Sequence, residues 1–219
     1  MKETKVFSDI QGGSPEESAV RIKELFKING KGGAVYWGCD QQWYSRWVQR
    51  ESGCGPTTAA SLLFYHQRAR GGGPEPTRDG CLALMETFWD YITPTWRGVH
   101  STALFISGAE RYAADHGLHV TGAALDIPGD SAQRPALDTV LGFLKDALQN
   151  DLPVAFLNHN NGAEKALYSH HWVAVIALIR GAGGNTVEFL DEGTVKRIDI
   201  GNWLATTTGG GGFATLRWE

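Results

Sequence analysis

The chain has 219 residues, of which 42% are hydrophobic and 20% are charged, and its formal net charge is −4. This composition is typical of a globular protein that buries a core, and the length suits one domain of ordinary size. With so mild a charge and no run of lysine and arginine, the sequence gives no indication of nucleic-acid binding, and no apolar run reaches the length of a membrane span.

The N-terminus is polar, and no apolar stretch follows the opening segment Met1–Lys5. This pattern predicts no secretory signal peptide, although a chain whose leader has been removed would look the same. The three cysteines, Cys39, Cys54 and Cys81, are an odd number and lack the spacing of a metal site. A reducing, cytoplasmic setting is the simplest interpretation of these features.

The first predicted element is a helix over residues 14–28. Ser14 supplies a capping hydroxyl, a proline occupies the first helical position, and acidic residues follow in the first turn. Residues 34–47 are rich in aromatic side chains and predict an irregular segment with one short strand. We therefore expect residues 1–48 to form a helix and an aromatic segment that pack on a domain of residues 49–219.

Helices dominate the next part of the chain, and strands dominate the last part. Helices are predicted from Cys54 to just before Gly71 and over residues 81–91, 101–116 and 134–150, and strands over residues 118–124, 153–157, 171–179, 186–190, 194–198 and 213–218. Because the helices come first and the strands last, the pattern favours an α+β domain with an antiparallel sheet.

Cys54 lies in a turn between two glycines, at the predicted start of a helix. A helix N-terminus stabilises an anion through its partial positive charge and free N–H groups, so a thiol in this position can act as a nucleophile. Glycine permits the strained backbone and the close approach that such a site needs, and backbone N–H groups can stabilise an oxyanion. The alternative is that Cys54 is a small, buried and inert residue.

A base and an orienting carboxylate are available on two predicted strands. His171 stands at the mouth of a buried strand, and Asp191 ends the next strand. An imidazole can take the proton of a thiol, and a carboxylate can orient the ring and stabilise the imidazolium. In an antiparallel hairpin these two residues lie at unequal distances from the turn, so their contact requires staggered strands or a position of Asp191 past the strand end. His170 faces the opposite side of its strand, and Glu192 is the alternative carboxylate.

Two motifs carry a resemblance to a known family. Residues 53–60, Gly-Cys-Gly-Pro-Thr-Thr-Ala-Ala, resemble the Cys-Gly-Pro-Thr/Ser-x-x-Ala stretch of the double-glycine (bacteriocin-processing) peptidase-like group of the papain-like superfamily. Residues 171–175, His-Trp-Val-Ala-Val, are similar to the His-Trp-Val-Val-Val motif of that group, and Asp191 falls where the group has its aspartate. The resemblance covers roughly residues 49–191.

This resemblance implies a papain-like α+β fold, in which a helical half carries Cys54 and a twisted antiparallel sheet carries His171 and Asp191. It implies a cysteine peptidase or amide hydrolase that acts on a peptide or amide substrate through an acyl-enzyme. Such an enzyme needs no cofactor and no metal. Neither a nucleic-acid partner nor a membrane partner is expected, and the oligomeric state is not predicted.

The resemblance also implies a glutamine upstream of the cysteine that completes the oxyanion hole. Gln49 is the nearest candidate, five positions before Cys54, and Gln41 and Gln42 lie further away. Two alternatives to a hydrolase stay open. The same triad could serve an acyl or peptidyl transferase, or the domain could be a non-catalytic papain-like binding module.

Overall fold

The structure, a computed structural model, describes residues 14–219. The predicted absence of a signal peptide at Met1–Lys5 therefore lies outside the described residues, as does the start of the expected N-terminal unit. The described chain is a mixed α+β fold in which helices pack on an antiparallel sheet, so the predicted α+β class is confirmed. None of the helices within residues 14–219 combines the length and apolar character that crossing a lipid bilayer demands.

The predicted helix over residues 14–28 is wrong. Strand β1 (Glu16–Ala19) pairs antiparallel with a later strand of the main sheet, and a 3-10 turn (Lys23–Phe26) follows it. Strand β2 (Lys27–Asn29) then pairs with β3 (Val35–Trp37) in a small separate hairpin. The N-terminal segment thus contributes one strand to the main sheet instead of adding a helix to it.

The burial pattern explains this difference. Ser18 and Val20 are buried, and so are Phe26 and Ile28, so the inward positions recur every second residue. That period is typical of strands, whereas a helix buries residues three or four apart. Pairing with the edge of a sheet satisfies the backbone of this segment, and this tertiary interaction overrides the capping signal at Ser14.

The six α-helices of the described residues pack on the sheet or on one another, and three of them contact α2, the longest. They are α1 (Trp47–Ser52), α2 (Cys54–Ala69), α3 (Arg78–Tyr91), α4 (Thr102–Asp115), α5 (Leu137–Gln149) and α6 (Ile200–Thr206). The four long helices that follow α1 confirm their predictions, whereas the short α1 and α6 were not predicted. Every residue from Cys54 to Tyr65 is buried because α2 packs against both the sheet and α3.

The remaining strands complete a sheet of seven strands, whose order is β4-β9-β5-β6-β7-β8 with β1 beside β6. They are β4 (Val120–Ile127), β5 (Val154–Asn158), β6 (His171–Gly181), β7 (Gly184–Asp191), β8 (Thr194–Asp199) and β9 (Gly211–Trp218). Neighbouring strands pair antiparallel, as predicted. The sheet therefore presents the start of β6 and the end of β7 beside the N-terminus of α2.

Candidate active site

Cys54 is the first residue of α2, as predicted, and the glycines beside it are required by close packing. A Cβ atom at Gly53 would overlap the backbone oxygen of Gln49 and lie 2.6 Å from the ring of Tyr44. A Cβ atom at Gly55 would lie 2.8 Å from a neighbouring valine methyl group. Gly53 has an ordinary φ of −85°, so the strained backbone expected there is absent and the glycine serves close approach alone.

A β-bulge at Ile176 brings His171 and Asp191 to the same face of the sheet. Strands β6 and β7 form an antiparallel hairpin whose register shifts by one residue at the bulge, so that Ala174 pairs with Leu190. In an unbroken ladder the two functional side chains would point to opposite faces, because successive residues alternate. The extra residue makes them diagonal neighbours on one face. It supplies the stagger that their contact requires.

The ring of His171 is hydrogen-bonded to a buried carboxylate. Its Nε2 lies 2.7 Å from Asp191 Oδ1, and the side chain of Asp191 is only 5% exposed. Burial alone would raise the pKa of Asp191, but hydrogen bonds and charges from His171 and Lys196 outweigh it and hold this pKa below its usual value. The carboxylate is therefore ionised and accepts a hydrogen bond from the imidazole. Nε2 thus carries the proton of this hydrogen bond, and Nδ1 is left to interact with Cys54.

The charged form of His171 is stabilised from both sides. Burial lowers the pKa of the imidazole, but the hydrogen bond with Asp191 and the interaction with Cys54, together with the charges of both groups, outweigh burial and raise it to about 10. An imidazolium between a carboxylate and a sulfur is therefore the preferred state of this ring near neutral pH. The imidazole of His171 can therefore accept the proton of a thiol and remain protonated.

Lys196, which sequence analysis did not identify, binds the second oxygen of the Asp191 carboxylate. Lys196 Nζ lies 2.8 Å from Asp191 Oδ2 and 2.7 Å from Glu192 Oε2, and it stands 4.9 Å from the centre of the Tyr168 ring. Glu192, the alternative carboxylate, thus pairs with Lys196. In the β7–β8 ladder Asp191 pairs with Thr194, so Lys196 is its diagonal neighbour on the same face. Side chains alternate between the two faces along β8, and this alternation is the sequence signal that could have identified Lys196 as a neighbour of Asp191.

Replacing Lys196 with methionine is expected to raise the pKa of Asp191, because the variant removes a cation that lowers it. The folded pKa of this carboxyl is depressed, so any reactivity that needs its charge is lost as the pH falls. We expect this acidic loss to move to higher pH, measured as the pH profile of Cys54 alkylation. Lys196→Arg should restore the profile, whereas Lys145→Met, which breaks a surface ion pair, should leave it in place. An unshifted profile in Lys196→Met would contradict this role.

Cys54 borders two cavities of different size. A narrow one of about 20 Å³ is lined by Cys54, His171, Asp191 and Gln41 among others. A wider one of about 570 Å³ also reaches Cys54 and extends along the loop that carries Trp96. Although Cys54 is only 9% exposed, its side chain is therefore accessible from an open cavity large enough for a substrate group.

The structure does not bring Gln49 to these cavities. Gln49 is buried in α1 and lines neither of them. Gln41, by contrast, lines the narrow cavity together with Cys54, and its Nε2 donates a hydrogen bond of 2.6 Å to the backbone oxygen of Arg50. The amide group of Gln41 keeps a second N–H. A 3-10 turn over Gln41–Trp43, capped by the side chain of Asp40, returns Gln41 to the site, and sequence distance could not predict it.

Cys81 and His170 lie outside the narrow cavity, whereas Cys39 lines it together with Cys54. Cys39 and Cys81 are buried free thiols, and a hydrogen bond with Cys39, together with burial, raises the pKa of Cys81. His170 has a left-handed backbone with φ of 55° and lines the wider cavity, while His171 contacts Asp191. Of the two adjacent histidines, His171 is the one that is hydrogen-bonded to Asp191.

Comparisons with known proteins give no match: no family model matches the chain, and none of the curated proteins does. Any functional interpretation must therefore be built on the geometry of Cys54, His171 and Asp191 and on the cavities beside them.

Proposed function

We propose that this protein is a cysteine hydrolase with a papain-like fold, which cleaves a peptide or amide bond through an acyl-enzyme. The observation that carries the proposal is the hydrogen bond of 2.7 Å between His171 and buried Asp191, formed beside a cysteine at a helix N-terminus that opens into a cavity. Perturbed titratable groups in a cleft are typical of catalytic sites. The two sequence motifs around Cys54 and His171 support the same assignment.

In the proposed reaction, the thiol of Cys54 transfers its proton to Nδ1 of His171, and Asp191 stabilises the resulting imidazolium. The thiolate attacks the carbonyl carbon, and the oxygen becomes an oxyanion held by the Cys54 N–H. The intermediate collapses as His171 gives its proton to the leaving amine. Water then attacks the thioester, with His171 as its base, and releases the acid and the free thiol.

Gln41 is our candidate for the second oxyanion donor, in place of Gln49. We expect Gln41→Ala to slow acylation of Cys54 by p-nitrophenyl acetate by about 100-fold, because removing one such donor costs about that factor. Alkylation by iodoacetamide forms no oxyanion, so its rate should stay unchanged and would report an intact site. Gln49→Ala is the matched comparison and should affect neither rate. The reverse pattern would assign the oxyanion hole to Gln49.

The proposal is tested by labelling the protein with iodoacetamide near neutral pH and locating the adduct by peptide mass spectrometry. We expect Cys54 to react faster than free cysteine, while fully buried Cys81 serves as an unreactive internal reference. A Cys54 rate no faster than that of free cysteine would favour a non-catalytic binding module. A transferase uses the same acyl-enzyme, and adding amine nucleophiles to the acylated protein distinguishes it from a hydrolase.

The state of the cysteines supports a proposed reducing compartment such as the cytoplasm. All three are free thiols, and Cys81 is hydrogen-bonded to Cys39 without a disulfide between them. Disulfides are rare in cytosolic proteins, where thiols are kept reduced.

A further inference from the structure

The wider cavity beside Cys54 is bordered by a cluster of basic side chains that the triad does not use. It comprises Arg97, His100, His159 and His170, which come from three separate parts of the chain. The rings of His159 and His170 have their centres 6.1 Å apart. Within the described residues the histidines, cysteines and carboxylates are not grouped as a metal site, so the cluster calls for another explanation.

The cluster gathers groups that can carry positive charge in a partly buried place. Burial lowers the pKa of His159, and the neighbouring His170, His100 and Arg97 lower it further because each disfavours a second positive charge. Among the described residues that line the cavity, Glu51 is the one carboxylate, against one guanidinium and three imidazoles. An anion in the cavity would relieve this repulsion and accept hydrogen bonds from the rings and the guanidinium.

Two further features are typical of a binding surface. Trp96 is 93% exposed, although an indole ring gains free energy when it is covered, and the guanidinium of Arg97 lies over it at 5.7 Å from its centre. His170 adopts a left-handed backbone conformation that is costly for a residue with a Cβ atom. Such conformations concentrate at ligand sites, where the surrounding structure maintains them.

We propose that this cavity is a subsite for a carboxylate of the substrate, bound by Arg97 and the imidazoles of His100, His159 and His170. The inference rests on the proposed function, because Cys54 lines the same cavity and would attack the carbonyl group next to it. The substrate class is then an acidic peptide or acyl-amino acid. Its carboxylate is either an acidic side chain or a terminal carboxylate, and both offer the same chemistry to the cluster.

Three isosteric reagents test the subsite and separate the two sources of the carboxylate. N-iodoacetyl-glutamine amide is neutral, N-iodoacetyl-glutamate α-amide carries a side-chain carboxylate, and N-iodoacetyl-glutamine carries a terminal one. In each case the thiolate of Cys54 forms a carbon–sulfur bond as the carbon–iodine bond breaks and iodide leaves. The measured quantity is the rate of Cys54 labelling divided by the rate for free cysteine with the same reagent.

We expect one charged reagent to label Cys54 at least about tenfold faster than the neutral one, a ratio that corresponds to a single charge-assisted contact. Salt should reduce this preference because it screens the cluster.

The double variant Arg97→Gln/His170→Asn should lose the preference, and asparagine at position 170 tolerates the left-handed backbone. Lys31→Gln, which removes an exposed charge away from both cavities, should keep it. Rapid labelling by all three reagents without preference overturns the subsite and leaves the hydrolase, whereas uniformly slow labelling, iodoacetamide included, overturns both.

Discussion

Replacing His171 with alanine is expected to slow alkylation of Cys54 by about 100-fold near pH 6.5. The reacting species is the thiolate, and an ordinary thiol is only about 1% ionised at that pH. In the proposed ion pair, the imidazolium of His171 favours the anionic form of the sulfur. The variant removes this cation, and the helix N-terminus is the remaining source of stabilisation. The measurement is the second-order rate with iodoacetamide, read from the Cys54 peptide.

The change of the alkylation rate with pH distinguishes loss of the imidazolium from general damage to the site. Because the pKa of His171 is raised to about 10, the imidazolium persists across neutral pH, and the wild-type rate should stay nearly flat between about pH 6.5 and 8.5. In His171→Ala the rate should instead rise by about tenfold per pH unit, as for a free thiol. Asp191→Asn is the companion variant, and we expect a smaller loss because the ring stays in place. A flat, fast profile in His171→Ala would falsify the role of this histidine as the base.

The sequence was sufficient to predict the elements that carry Cys54, His171 and Asp191. The helix that begins at Cys54 and the strands that hold His171 and Asp191 all lie where the periodicity predicts them. Sequence periodicity could not predict that the two strands bring their functional side chains together. Their contact depends on the bulge at Ile176, and a bulge of a β-branched residue within an apolar run leaves no local signal.

The differences between the sequence predictions and the structure share a physical cause: long-range contacts decide between local alternatives. The segment from Ser14 has capping residues typical of a helix, yet it pairs with β6 as a strand. Gln49 is the nearest glutamine in sequence, but α1 buries it away from the cavities, while Gln41 returns through a 3-10 turn. Lys196 was missed because its role depends on the pairing of β7 with β8. To predict any of these contacts, one would need to know the strand register or the path of the backbone.

Replacing Gly53 with alanine is expected to destabilise the protein by about 2 kcal/mol or more, because the site has no room for a methyl group. The new Cβ atom would meet the backbone oxygen of Gln49 and the ring of Tyr44. Neither can yield cheaply, since Gln49 belongs to α1 and the hydroxyl of fully buried Tyr44 donates a hydrogen bond of 2.8 Å to the backbone oxygen of Met85. The junction between α1 and α2 must therefore open.

The same change at Gly142 is a matched control. Gly142 lies inside α5, and a Cβ atom there would meet nothing within 4 Å, so Gly142→Ala should stabilise the protein by roughly 0.5–1 kcal/mol. Chemical denaturation of both variants measures the two shifts. Because Gly53 directly precedes Cys54, Gly53→Ala should also displace Cys54 from His171 and slow its alkylation, even under conditions where the variant is fully folded. If Gly53→Ala were as stable and as reactive as the wild type, the tight junction would have no part in positioning the sulfur.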